Sequence, residues 1–264
     1  MNVGIIGYGS MGKMIFEKLR ASGVVNGQIF LANRTFEKIE HLASEVTVCK
    51  ENRELAEKSD VVILCIRPVD IPVVLEGIRD SLRPGSILIS LNGSITFDTI
   101  GKIVKAKTTK AIPSVTAEVD RSQTLVCFNE LMNEKDKKAV IQLFSCMGNV
   151  ITLPENEMGM GSELVSCMPG FIASIFDVIC TEAKKHTSIP EEQIVSMVLN
   201  TMSATGELMM SKDMTFEQVV ARVATKGGIT EEGTKVVYEN FPQTADELFR
   251  KTLEKRRMIA ERAK

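Results

Sequence analysis

Tryptophan is absent from this chain of 264 residues, and histidine occurs only twice, at His41 and His186. Neither histidine lies near a nucleophile motif, so Ser-His-Asp chemistry has nothing to build on. Six cysteines are present, and none pairs as CxxC. Without a cysteine pair or a histidine cluster no metal site is expected. Most of the cysteines sit in apolar runs, so the expectation is free, buried thiols in a reducing, cytoplasmic compartment. Strong charge of either sign is missing too. The net charge of -2 gives no electrostatic reason to expect nucleic acid or an anionic membrane as partner. No apolar run reaches the roughly 20 residues of a membrane span, and the start, MNVGIIGYG, does not read as a secretory leader.

What is present points to a folded α/β chain. Hydrophobic residues make up 44% and charged residues 25%, as in soluble globular domains. Strand-like and helix-like segments alternate up to about residue 153. NVGIIG, QIFLAN, TVCK, DVVILCI, SILISL, TKAIPS, QTLVCFN and NVITL read as strands. Residues 10–22, TFEKIEHLASE with Thr35 as its cap, DIPVVLEGIRDSL, TFDTIGKIV and NEKDKKAVIQLFSCMG read as helices, and NRELAEKS follows the third strand. Repeated βα units with short links predict a doubly wound, parallel Rossmann sheet. From residue 158 on only helical patterns occur. SELVSCMPGFIASIFDVICTEAKKH is apolar on nearly every face, which predicts a helix covered all round, inside a domain or in a subunit contact. TFEQVVARVAT, EEGTKVVYENF and TADELFRKTLEKRRMIAERAK read as three further helices. The expected division is an α/β domain over 1–153 and an all-α domain over 154–264.

The chemistry starts in GIIGYGSMG, between the first strand and the first helix. Gly7 permits the tight turn off the strand, Gly9 lets the backbone approach a pyrophosphate, and Gly12 lets the helix pack against the strand. Helix-start amides then face the phosphates. An NAD site usually carries an acid at the end of the second strand, roughly 20 residues past the glycines. Here that place holds Asn33, Arg34 and Thr35, which suits a 2′-phosphate instead. NADP is therefore the expected cofactor, NADPH being favoured over NADH. The ends of later strands, Cys65–Asp70 and Ser90–Ser94, should line the same crevice. Far down the chain, KGGITEEG places two glycines before a helix that Thr230 and Glu231 begin. That arrangement is either a carboxylate-binding helix start or a plain helix–helix turn with a threonine cap.

Taken in order, IGYGSMG, LANRT, DVVILCIRP, IPS, EMGMGSELVSCMPGF and ATKGGIT resemble the pyrroline-5-carboxylate reductase family over the whole chain. CIRPVDI, LVSCMPGF and KGGITEEG look closer to its late-competence (ComER-type) branch. The resemblance implies an N-terminal Rossmann domain that binds NADPH and a C-terminal all-α domain that dimerises. It implies hydride transfer to the imine carbon of 1-pyrroline-5-carboxylate, giving L-proline. Ile6, Gly7, Tyr8, Gly9, Ser10 and Met11 would cradle the pyrophosphate. Asn33, Arg34, Thr35 and Asn52 would hold the adenosine end. Cys65, Ile66, Arg67 and Pro68, with Leu91, Asn92 and Gly93, would line the channel towards the nicotinamide. Glu155 falls on a carboxylate of the substrate site. Gly227, Gly228, Ile229 and Thr230 would bind the substrate carboxylate, with the Thr230 hydroxyl directed at the ring nitrogen as the catalytic group. Arg67-Pro68 stands where the family has Lys-Pro, Leu91-Asn92-Gly93 where it has Ala-Ala-Gly, and Val165–Phe171 where it has Ser-Gly-Ser-Gly-Pro-Ala-Tyr.

The partner implied is a small cyclic imino acid, and the assembly a homodimer or a larger homo-oligomer. The alternatives are a related reductase of another small imine or carbonyl carboxylate, and a nucleotide-binding regulatory protein without turnover. The composition suits an imine. A cyclic imine protonates in water more readily than a ketone, so no strong protein acid is needed. A ketone would want a lysine or histidine as proton donor, and Lys226 is the one obvious candidate.

Overall fold

The computed structural model describes residues 1–262; Ala263 and Lys264, the last two of the expected tail helix, lie outside the described residues. Packing divides the chain into two compact units. One is Met1–Pro169 with the chain from Thr252 on, and the other is Gly170–Lys251.

The first unit is built on an eight-stranded sheet: β1 Val3–Ile6, β2 Ile29–Ala32, β3 Thr47–Cys49, β4 Val61–Leu64, β5 Ile87–Ser90, β6 Lys107–Ile112, β7 Ser122–Phe128 and β8 Gly148–Thr152, in the order β3-β2-β1-β4-β5-β6-β7-β8. The first six strands are parallel, with Val3 opposite both Ile29 and Val61. Alternate residues feed opposite faces. Ile5, Ile63 and Ile89 join one apolar layer, under α1 (Ser10–Ser22) and α5 (Glu134–Ser145). Ile6, Leu64 and Leu88 join the other, under α2 (Asn52–Lys58), α3 (Ile71–Ile78) and α4 (Phe97–Ile103). That is why these strands read as unbroken apolar runs. Thr96 caps α4 through its side chain, and Asn133 with Asp136 forms a capping box on α5, satisfying helix-start N–H groups that would otherwise lack partners.

Two expectations for this unit are corrected. The strand QTLVCFN is there, but β7 pairs antiparallel with β6, Ala111 lying opposite Val126. The link between them is a short 3-10 turn, Val115–Val119, and a parallel return needs a longer crossover. The segment TFEKIEHLASE is no α-helix. It forms two 3-10 turns, Phe36–Lys38 and Glu40–Ser44, and the Thr35 side chain caps nothing. Its apolar residues Phe36, Ile39 and Leu42 recur at strict threes, the period at which 3-10 side chains eclipse.

The chain after the sheet is helical. α6 (Met158–Ser162) runs through a π-turn at Glu163–Cys167 into α7 (Met168–Ala183). α8 (Glu191–Ser211), α9 (Phe216–Val223) and α10 (Ile229–Arg262) follow. The two helices expected around Pro242 are one. Pro242 lacks the N–H that would bond the Tyr238 carbonyl, and Tyr238 is exposed, so water can serve that oxygen. The helix expected to be covered all round is bare in the single chain. Cys180 is the one buried residue of α7, while Val178 and Ile179 are exposed. By length and composition the helical stretch Glu155–His186, whose most apolar window has a mean hydropathy of 1.8, could cross a membrane. An apolar face this large calls for a cover.

Candidate active site

Three glycines meet at the start of α1, and the fold requires two of them. Gly7 sits at φ +100, and a Cβ there would lie 2.5 Å from the Cys65 carbonyl oxygen. A Cβ on Gly12 would lie 2.1 Å from the Gly7 oxygen. These two positions fix how α1 leaves β1 and rests on β4. Gly9 is different. Its φ is -83, and a Cβ there would meet no protein atom within 4 Å. Neither backbone strain nor packing demands glycine at this position, so the space it leaves open fits a ligand. No side chain caps α1 and no acid lies in its first turn. Its free N–H groups and positive dipole end therefore face that space. Ser10 and Met11 form this first turn.

A groove of about 760 Å³ runs past this helix start. It gathers Ile6, Gly7, Tyr8 and Gly9, then Asn33, Arg34, Thr35 and Asn52, then Cys65, Ile66 and Arg67. Three strand ends thus meet as the topological rule expects. Asn33 ties two of them together: its Oδ1 accepts from the Tyr8 N–H at 2.9 Å, and its Nδ2 donates to the Thr35 carbonyl at 2.8 Å. Arg34 is exposed and no carboxylate follows β2. Lys38 and Lys50 add positive charge at the same end. Sequence reading missed both, although Lys50 directly follows β3 and the strand-end rule points to it.

Arg67 is fastened to Asp70 by two bonds, at 2.9 and 3.2 Å. The Arg67 guanidinium holds the Asp70 carboxyl below its ordinary range, and Arg34 adds to this. Desolvation pushes the Cys65 thiol up, which disfavours its thiolate form. Burial, then Glu17 and Glu45, raises the Tyr8 phenol. Among the described residues no cluster of histidine, cysteine or acid could hold a metal ion, and all six cysteines are free.

Other sequence candidates lie outside this groove. Pro68 opens a 3-10 turn beside it. Leu91–Gly93 follows β5, where the Asn92 side chain accepts from the Ser94 N–H at 2.9 Å. Glu155 lines a separate open cleft of about 1080 Å³. Its Oε1 accepts from the Phe97 N–H at 2.8 Å and from Lys110 Nζ at 3.0 Å. Lys110 is buried, with its ammonium 5.5 Å from the Phe97 ring centre. In the second unit Gly227 sits at φ +72 and the Gly228 N–H donates to the Thr225 carbonyl. The helix starts at Ile229, one residue before the expected Thr230. Thr230 is exposed. The Gly227 N–H is already taken, by Glu231 Oε2 at 2.7 Å. Glu231 thus holds with its own carboxylate one of the amides expected to receive a substrate carboxylate.

Comparison with known proteins agrees along the whole chain. Residues 2–93 match the family described as NADP oxidoreductase, coenzyme F420-dependent, and residues 155–259 match pyrroline-5-carboxylate reductase dimerisation. Pyrroline-5-carboxylate reductase 3 of Bacillus subtilis is 27% identical, over 98% of this chain and 97% of its own. ComE operon protein 4 of the same organism is 24% identical, over 96% and 94%. Among solved structures, the pyrroline-5-carboxylate reductase of Coxiella burnetii superposes with a TM-score of 0.85 at 25% identity, over 99% and 98% of the two chains. The pyrroline carboxylate reductase of Plasmodium falciparum, solved with NADP bound, gives 0.88 at 21% identity over 98% of each, and so shares the fold. Sheet order, glycine turn and helical second half agree with both matches, and the chain is similar to pyrroline-5-carboxylate reductases over nearly its whole length.

Proposed function

We propose that this protein is an NADPH-dependent oxidoreductase that reduces the imine of 1-pyrroline-5-carboxylate to L-proline, in the cytoplasm and as a homodimer or larger homo-oligomer. The observation that carries the reading is Gly9, a glycine the fold does not need, beside the bare N-terminus of α1. The family supplies the substrate, through relatives whose full lengths match. When bound, NADPH supplies the hydride. The helix-start amides at Gly9–Met11 hold the pyrophosphate. Arg34, with Lys38 and Lys50, neutralises the 2′-phosphate, and Asn33 keeps the glycine turn in register with β2. Asn52 touches the adenosine. Cys65–Pro68 and Leu91–Gly93 lead to the nicotinamide end.

In this reading 1–153 is the nucleotide domain and 154–264 the dimerisation and substrate domain. Gly227–Thr230 takes the substrate carboxylate, Thr230 donates to the ring nitrogen, and Glu155 belongs to the substrate side. No strong acid is called for, because the iminium forms readily in water. The protein's contribution is positioning, which can supply roughly 7–11 kcal/mol of a bimolecular barrier. A second copy covers the apolar face of α7.

Steady-state rates with NADPH and with NADH, together with sedimentation of the protein, test the reading. Expected are a preference for NADPH and a particle of at least two chains. Equal use of NADH with a monomeric particle would overturn it.

A further inference from the structure

Arg256, near the end of α10, makes a pairing that no family motif anticipates. Its Nε and Nη2 both donate to Glu163 Oε1, at 3.1 and 2.7 Å, and Nη2 also donates to Ser162 Oγ at 3.0 Å. Glu163 opens the π-turn and its side chain is 2% exposed; that of Arg256 is 21% exposed. The other carboxylate oxygen, Glu163 Oε2, is buried without a hydrogen-bond partner among the described residues. Taking both charges from water and leaving one oxygen unmet is poor use of an ion pair as a stabiliser. What the pair does supply is orientation: two bonds to one oxygen fix the plane of the guanidinium.

That plane presents Nη1 to the loop after β5. A Cβ on Gly93 would lie 3.4 Å from Nη1 and 2.7 Å from Ile112 Cδ1. On the other side, a Cβ on Gly159 would lie 3.6 Å from Arg256 Cδ. The Arg256 side chain thus lies within van der Waals reach of both glycines. Among the described residues Nη1 has no hydrogen-bond acceptor. An N–H pair without an acceptor, on a partly accessible side chain held still from behind, is a receptor for an oxygen.

We infer that Arg256, positioned by Glu163, receives an oxygen acceptor at the Gly93 end of the nucleotide site: the carboxamide oxygen of the nicotinamide or the carboxylate of the imino acid. The inference rests on the proposed course of NADPH from β2 past Gly9 to Gly93. Because Glu163 cancels the charge of Arg256, the pair offers directed N–H groups with little net charge. It therefore does not oppose the positive charge that the nicotinamide ring gains and the iminium carries. Arg256 would touch the ligand, whereas Glu163 is a positioning residue.

The test uses full-length R256K and R256M. R256K can keep a point-charge contact with Glu163 but has no Nη1 fork. NADPH affinity is read from fluorescence on binding, in parallel with thionicotinamide NADPH, whose sulfur is the poorer acceptor. Imino-acid binding is read from the substrate KM and from L-proline titrated onto the NADPH-loaded protein. Both variants are expected to weaken one of these by about tenfold or more. If the acceptor is the carboxamide, the loss falls on NADPH, and wild type but not R256K discriminates against the thio analogue. If it is the carboxylate, the loss falls on KM and L-proline. E163Q should raise the same constant by a smaller factor and leave the other unchanged. A folded R256K whose NADPH and L-proline affinities both stay within twofold of wild type overturns the inference. The NADPH arm reads even if pyrroline-5-carboxylate is not turned over, so failure of the proposed reaction and failure of this assignment are distinguishable.

Discussion

Alanine at Gly9 and alanine at Gly12 should fail in opposite ways. At Gly12 the added Cβ lies 2.1 Å from a backbone oxygen that cannot swing aside, so α1 must lift off the sheet. Overpacking of this kind costs about 1–3 kcal/mol or more. At Gly9 the added methyl meets nothing. Alanine is a poorer helix cap than glycine, at a cost of order 0.5–1 kcal/mol. Fewer unfolded conformations return about 0.4–1 kcal/mol, because φ is ordinary here. The two effects nearly cancel, so thermal unfolding of ligand-free Gly9→Ala should match wild type. Its NADPH affinity should not: the methyl occupies the place of a phosphate oxygen, and a loss of about 100-fold, or about 2.7 kcal/mol, is expected. Melting with and without NADPH reads both quantities, since a ligand raises Tm only if it binds the folded state. Gly12→Ala should melt well below wild type before any ligand is added. A Gly9→Ala protein that binds NADPH within threefold of wild type would refute the reasoning.

Arg34→Asp places a carboxylate where the 2′-phosphate is expected, and should shift the ratio of kcat/KM towards NADH; an unchanged ratio removes Arg34 from cofactor choice. Thr230→Ala should lower kcat at least about tenfold with the NADPH affinity unchanged, as a lost transition-state hydrogen bond would; unaltered kinetics remove Thr230 from the reaction. Glu231→Ala frees the Gly227 N–H, now bonded at 2.7 Å, and should lower the KM for the imino acid several-fold. A KM that rises or stays the same would mean that the carboxylate binds elsewhere.

Local rules carried the sequence reading a long way. Gly7, Gly9 and Gly12 are legible because turn, phosphate approach and helix packing each ask for glycine at one spacing. The strands under Ile5, Ile63 and Ile89 are legible because both faces are covered, which leaves no polar alternation. The 3-10 turns at Phe36–Ser44 are not legible, because apolar residues at every third position fit both helix types. The reversal of β7 depends on the missing crossover helix, which a strand pattern does not reveal. Arg256 and Glu163 lie far apart in sequence, and nothing local marks either as the other's partner. The same holds for Lys110 and Glu155. The bare face of α7 reads as apolar in any context; whether a core or a second chain covers it is not encoded in its period.

The most direct test is a single turnover. Protein loaded with one equivalent of NADPH is mixed with excess 1-pyrroline-5-carboxylate, and NADPH absorbance and L-proline are followed together. One proline formed for each NADPH consumed, much faster than in free solution, is the predicted result. NADPH that stays bound and unoxidised, with no proline formed, would contradict the account.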